Sequence, residues 1–295
     1  MANRFYAANE RRADKVHELF GAIAPRYDLI NDLQSLGLHR HWKRRLVKLA
    51  ELKRGERALD LCCGTGDVVF QLAKSASFVV GLDFSLPMLI IARERARRCN
   101  IEPANREPSV GRDRDTLPLP GPLLPLQGRE GEIQPHSSLV FSKPDTVRAC
   151  GSVRIQFLRG DALRIPFRDA EFDTVTISYG LRNLENFQAG LDEMGRVLKP
   201  GGRLLVLDFG KPESALWKKL YFSYLRWCIP WFGRLFCGDR ETYGYILESL
   251  LHYPGQRGIA DLMARRNYSD VRVINLLGGV MSINYGRNST CPRAS

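Results

Sequence analysis

A doubly wound α/β fold is the class this sequence predicts: a seven-stranded, mostly parallel, Rossmann-like sheet with an N-terminal helical cap. Three observations predict it. Short continuous apolar runs alternate with helical patterns, which is how strands buried on both faces of a parallel sheet read. The first run ends in a glycine-containing turn followed at once by a helix. The 295 residues suffice for one large domain, and no stretch approaches the ~18 consecutive apolar residues of a spanning helix.

The elements follow in order. A helix is expected from Ala13 to about Ala24, and a second near Trp42 to Leu52, so that residues 1–54 form the cap. RALDLCCGTGD from Arg57 is a buried strand ending in a tight turn, with the helix VVFQLAKSA behind it. FVVGLDFS and PMLIIARERARRC repeat the unit, with Pro87 in the first helical turn and Arg97 and Arg98 at the end where the helix dipole favours cations. IQFLRGDA, FDTVTISYG and GRLLVLDFG supply three more strands, the last reached through the helix NFQAGLDEMGRVL and the turn KPGG. VRVINLL and GVMSINYG read as a closing hairpin, so the second unit spans 55–290.

Residues 103–153 interrupt this pattern. They hold eight of the chain's 16 prolines, six Lys/Arg against six Asp/Glu and no apolar periodicity, and a disordered surface insertion is expected.

Composition narrows the function classes. The formal charge of +12 attracts polyanions or anionic headgroups and says nothing of fold. A basic nucleic-acid-binding protein is therefore the rival from another class, motivated also by HRHWKRRLVK at 39–48, but no nucleic-acid-binding fold signature accompanies that run and no nucleic-acid partner is expected. Seven cysteines without a C-x-x-C argue against a disulfide framework, and His39 and His41 lack a carboxylate or cysteine cluster, so no metal is expected. The opening MANRFYAANERRADKV has no apolar h-region, and a reducing cytoplasm is the simplest location.

The chemistry sits at strand ends. In Asp60-Leu-Cys-Cys-Gly-Thr-Gly-Asp67 the glycines let backbone and Thr65 approach a ligand, while Val69 stands where a dinucleotide fingerprint needs its third glycine. A pyrophosphate cradle is thus poorly supported. Asp83, 17 positions past Gly66, ends the second strand and is able to accept two ribose hydroxyl bonds. Gly160-Asp161-Ala162 ends the third, offering an acceptor for an exocyclic amine beside room for a flat ring. A nucleoside site without phosphate demands is what S-adenosylmethionine requires.

Four segments carry a fuller likeness: Ala24-Pro-Arg-Tyr-Asp-Leu-Ile-Asn-Asp32 with Gly37 to Arg44, then LDLCCGTGD, FDTVTISYGLRN and RVLKPGGRLLVLDFGKP. Through them the sequence resembles the ubiquinone/menaquinone biosynthesis C-methyltransferase family, of class I methyltransferase fold. The resemblance implies that Gly64, Thr65, Asp83, Asp161, Ala162 and Ser178 bind S-adenosylmethionine, while Tyr27, Arg182 and Asn183 face a prenylated quinol. It implies methylation of demethylmenaquinol, with 2-methoxy-6-polyprenyl-1,4-benzoquinol as the alternative acceptor. Arg182 would stabilise the quinolate, with Tyr27 through water or His39 competing as base. A cytoplasmic chain, transiently peripheral on the inner face of the membrane and with room for a homodimer, completes the expectation. Residues 217–236, eight aromatics among Lys218, Lys219, Arg226 and Arg234, read as an amphipathic helix or a lid for the prenyl tail.

Overall fold

The computed structural model describes residues 31–32, 35–98, 102–103, 145–149, 153–237 and 249–289. The helix expected over Ala13 to Ala24, and Tyr27, lie outside them.

Helix α1 (Leu38–Ala50) begins four residues before the expected Trp42, because Gly37, at φ 74°, supplies the left-handed entry that starts it early. Its buried residues Trp42, Leu46 and Ala50 recur every four positions, as one helical stripe facing the sheet requires. The alternation then runs β1 (Arg57–Leu61), α2 (Asp67–Leu72), β2 (Phe78–Asp83) and α3 (Leu86–Arg98). After β3 (Glu102–Pro103) and β4 (Asp145–Ala149) come β5 (Val153–Arg159), β6 (Phe172–Ser178), α4 (Phe187–Val197) and β7 (Leu198–Phe209). The chain closes with α5 (Ala215–Cys237), α6 (Gly255–Ala264), β8 (Tyr268–Leu276) and β9 (Met281–Asn288).

The sheet order is β3-β4-β5-β2-β1-β6-β7-β9-β8. Strands β5, β2, β1, β6 and β7 are mutually parallel, and β9 enters antiparallel between β7 and β8, so the closing hairpin inserts its second strand first. These seven strands are the expected sheet. Two more extend it: β4, inside the segment expected to be disordered, pairs antiparallel with β5, and β3 pairs with β4. The edge of β5 offers unpaired backbone groups, and a neighbouring stretch with even modest extended propensity satisfies them. KPGG is likewise part of a strand, since the β6–β7 register slips between Phe172↔Leu198 and Thr174↔Arg203 and the turn becomes a bulge within β7.

Alternation along the strands divides the core between the two faces. Leu204 and Val206 of β7 join Leu59, Leu61, Val175, Ile177 and Leu191 on one side, while Leu205 and Leu207 join Ala58, Val69, Leu72 and Leu46 on the other. Each such leucine, valine or isoleucine contributes about 1.5–3 kcal/mol by burial, and both layers fix where the strand ends sit. From the neighbouring parallel strands β1 and β6, the chain proceeds outward in opposite directions along the sheet, and this switch point opens the crevice in which α/β sheets hold ligands. No helix among the described residues is long and apolar enough to cross a membrane.

Candidate active site

The cleft lies at the carboxyl ends of β1, β2, β5 and β6 and encloses ≈ 980 Å³ including its open mouth. Its wall is built from strand-end turns. Gly66, at φ 88°, and Cys62, at φ 51°, turn the chain sharply out of β1, and Tyr179, at φ 60°, does the same after β6. The two turns meet: a Cβ on Gly180 would stand 2.6 Å from Cys62 Sγ, so only glycine lets them close. Burial pushes the Cys62 and Cys63 thiols well above their ordinary range, which makes them wall rather than nucleophile.

Asp83 is aimed by backbone. Its Oδ2 accepts the Gly64 N–H at 2.7 Å and its Oδ1 the Ser85 N–H at 2.8 Å, so the carboxylate ties the glycine turn of β1 to the end of β2. Asp161 accepts the Leu163 N–H at 2.8 Å, folding the residues after β5 into a turn that brings Ala162 and Leu163 to the cleft. Ser85 and Ser178 both line the cleft, and their buried hydroxyls have no hydrogen-bond partner among the described residues. Buried hydroxyls are nearly always bonded, and two such hydroxyls on residues that line one crevice leave hydrogen-bonding capacity beside it. With two carboxylates and the apolar flank of Leu82 and Met88, this donor and acceptor set fits a nucleoside carrying an amino acid side arm.

Three of the expected residues are not on the cleft lining. Gly64, Asp83, Asp161, Ala162, Ser178 and Asn183 line one cleft, as expected, but Thr65 does not. Its hydroxyl and carbonyl both accept from Arg95, at 2.9 and 3.0 Å, because α3 presents a cation to the turn from behind. Arg182 is also off the lining. Its guanidinium is drawn to the buried carboxylate of Asp208, Nε to Oδ1 3.2 Å, and also donates to the Asn183 side-chain carbonyl. Asn183 in turn donates to the Tyr179 carbonyl at 3.1 Å. His39 is buried against Ser35, 2.8 Å from its hydroxyl, and is not among the residues that line the cleft.

Two features escaped the sequence reading. Ser85 was signalled only by Asp-x-Ser after a strand, a turn pattern common everywhere. The other is a charged link beneath the glycine turn. Asp67 accepts from Lys43 of α1 at 2.9 Å and from Arg95 of α3 at 2.6 Å, and although burial opposes it, these cations hold its carboxyl down at about 2. Asp60 lies deeper, accepting the Thr176 hydroxyl at 2.6 Å, and burial pushes its carboxyl up to about 7. Among the described residues no cluster of histidine, cysteine or acidic side chains is arranged to hold a metal.

Comparison with known proteins identifies the family and the fold. The model of the ubiE/COQ5 methyltransferase family matches residues 7–105 and 137–288, leaving out the middle of the proline-rich segment. A demethylmenaquinone methyltransferase of Staphylococcus saprophyticus subsp. saprophyticus is 29% identical over 283 residues, 95% of this chain and 99% of that one. A ubiquinone/menaquinone biosynthesis C-methyltransferase of Azotobacter vinelandii is 34% identical over 279 residues, 94% of this chain and 90% of that one. In fold, magnesium protoporphyrin IX methyltransferase from Synechocystis, solved with bound S-adenosylhomocysteine, superposes with TM-score 0.56 at 15% identity over 94% of this chain and 99% of its own.

Proposed function

The chain belongs to the ubiE/COQ5 methyltransferase family, and from that premise we propose that it methylates a ring carbon of demethylmenaquinol to give menaquinol. Its methyl donor is S-adenosylmethionine. The observation that carries the reading is the convergence in one cleft of Asp83, Asp161 and the unpartnered Ser85 and Ser178 hydroxyls beside the amide of Asn183.

In this reading Asp83 accepts the ribose hydroxyls, Asp161 accepts the exocyclic amine with Ala162 leaving room for the ring, and Ser178 serves the side arm. When bound, S-adenosylmethionine supplies an electrophilic methyl group on a sulfonium, whose transfer to the ring carbon releases S-adenosylhomocysteine while the ring gives up one proton. The protein's part is positioning and electrostatics. Asn183 holds a ring hydroxyl as it loses its proton. Arg182 acts through Asn183, orienting its amide while Asp208 orients Arg182. A guanidinium offers only donors, so it is no base. Tyr27 belongs to this acceptor side by resemblance.

A prenylated acceptor resides in lipid, and the outer face of α5 suits such a surface. Leu216 is 79% exposed and Leu220 57%, with Tyr224 one turn on and Lys218 and Lys219 between them. An apolar stripe flanked by cations supports transient contact with an anionic membrane. Incubating the purified protein with S-adenosylmethionine and either demethylmenaquinol or 2-methoxy-6-polyprenyl-1,4-benzoquinol tests the assignment. Methylated product from the naphthoquinol is expected. Product from the benzoquinol alone would transfer the assignment to ubiquinone chemistry, and product from neither would remove it.

A further inference from the structure

Near the Arg182–Asp208 pair, two tyrosines are buried in a way the other described residues do not explain. Tyr221 of α5 is 6% exposed and Tyr253, which closes a helical turn onto the Ser249 carbonyl at 3.0 Å, is 2% exposed. Both rings belong to the apolar layer that holds Leu181, Leu225 and Leu250, and Tyr253 stacks edge-on against Phe187 with centroids 6.3 Å apart. Yet both hydroxyl oxygens are buried without a hydrogen-bond partner among the described residues. A buried tyrosine usually finds a partner for its hydroxyl, and phenylalanine would fill the same space without the desolvation cost. Two such hydroxyls from separate elements call for a common reason.

That reason is suggested by what they surround. Both hydroxyls lie within the field of the Arg182–Asp208 pair, and Arg182 also reaches the Ser249 hydroxyl at 3.4 Å, on the same turn as Tyr253. The pair joins a cation to an anion, so the surroundings carry no excess charge to attract a phosphate or a carboxylate. Burial raises both phenols above their ordinary range, so each remains a neutral hydroxyl able to donate and accept. Uncharged hydroxyls in an apolar aromatic layer match an uncharged, oxygen-bearing aromatic ring.

We propose that Tyr221 and Tyr253 are acceptor-reading residues, whose hydroxyls take hydrogen bonds with the oxygen substituents of the quinol ring while Asn183 faces the cofactor cleft. This inference rests on the methyl-transfer reading for its ligand and adds to it two specificity-determining side chains. A site built to hydrogen-bond ring oxygens discriminates strongly against rings that lack them, because its hydroxyls are then left unsatisfied.

Tyr221→Phe and Tyr253→Phe remove the hydroxyls and nothing else. Each variant should raise KM for the quinol by about fivefold or more, the loss of one hydrogen bond, leave KM for S-adenosylmethionine unchanged, and melt no lower than the parent. A parallel titration with 1,4-naphthoquinol under anaerobic, reducing conditions, in the presence of S-adenosylhomocysteine, reads binding without turnover. Weaker binding by both variants supports the inference even if the parent methylates no quinol, in which case only the assigned reaction fails. Equal acceptor binding in parent and variants, no naphthoquinol binding by the parent, or a lowered melting temperature with both KM values disturbed would each overturn it.

Discussion

Arg182 and Asp208 form an ion pair, Nε to Oδ1 3.2 Å, in which the arginine is 6% and the aspartate 1% exposed, and Asp208 also accepts the Arg182 backbone N–H at 3.1 Å. The segment after β6 and the end of β7 are thereby joined. Removing one member strands a buried charge, which typically costs 3–5 kcal/mol. Arg182→Met should lose about that much stability. Asp208→Asn should be destabilising in the parent but neutral or favourable in the Arg182→Met background, since an amide needs no counter-charge. Thermal unfolding of the four proteins measures this coupling, and additive losses would contradict it.

Asp83 carries the clearest cofactor assignment. Asp83→Ala should weaken S-adenosylhomocysteine binding by on the order of 2 kcal/mol, roughly 30-fold, because charge-assisted bonds to the ribose are lost. The Gly64 and Ser85 amides lose their acceptor as well, so a small fall in stability accompanies the effect. Calorimetric titration of a folded variant decides, and parental affinity would remove the ribose role.

Asp60 makes stability depend on pH. Its folded value, about 7, lies above that of an unfolded aspartate, so the folded state holds a proton the unfolded state has released, and stability falls as pH rises from about 4 to 7. Asp60→Asn keeps an acceptor for the Thr176 hydroxyl and abolishes the titration. The variant should match the parent near pH 4 and exceed it by at least about 1 kcal/mol at pH 8. Parallel denaturation curves at both pH values check this, and a constant difference between them would contradict it.

The proline-rich segment divides at β4. Replacing residues 105–143 with a short Gly-Ser linker should leave folding and turnover close to the parent, because loop closure depends weakly on length. Extending the deletion to residue 150 strips β5 of its antiparallel neighbour and bares a sheet edge, which should promote association. Size-exclusion chromatography and melting temperature separate the two constructions, and an unfolded shorter deletion would show that the segment packs on the domain.

The parallel sheet and its ligand edge were legible because they rest on local signals: continuous apolar runs, glycine turns, and acids at strand ends. Asp83 and Asp161 could be placed at the cleft from position alone, since one ends β2 and the other follows β5 by two residues, both at the carboxyl edge of the parallel sheet. Thr65 and Arg182 could not. Their orientations are set by Arg95, 30 positions after Thr65, and by Asp208, 26 positions after Arg182, and such partners are chosen by packing rather than by spacing. Tyr221 and Tyr253 were hidden for a similar reason, one lost among eight aromatics of a helix and the other standing alone in a turn. Strand β4 arises from an open sheet edge, a property of the folded neighbour that its own sequence does not display.

In the proposed reading Asn183 joins the cofactor cleft to the acceptor, and single-turnover methylation by Asn183→Leu tests that claim most directly. With S-adenosylmethionine saturating and demethylmenaquinol as acceptor, the variant should transfer methyl about 10²-fold or more slowly, as loss of a preorganised oxyanion donor does. It should bind S-adenosylhomocysteine as tightly as the parent on the same preparation. A parental single-turnover rate in the folded variant would contradict the account.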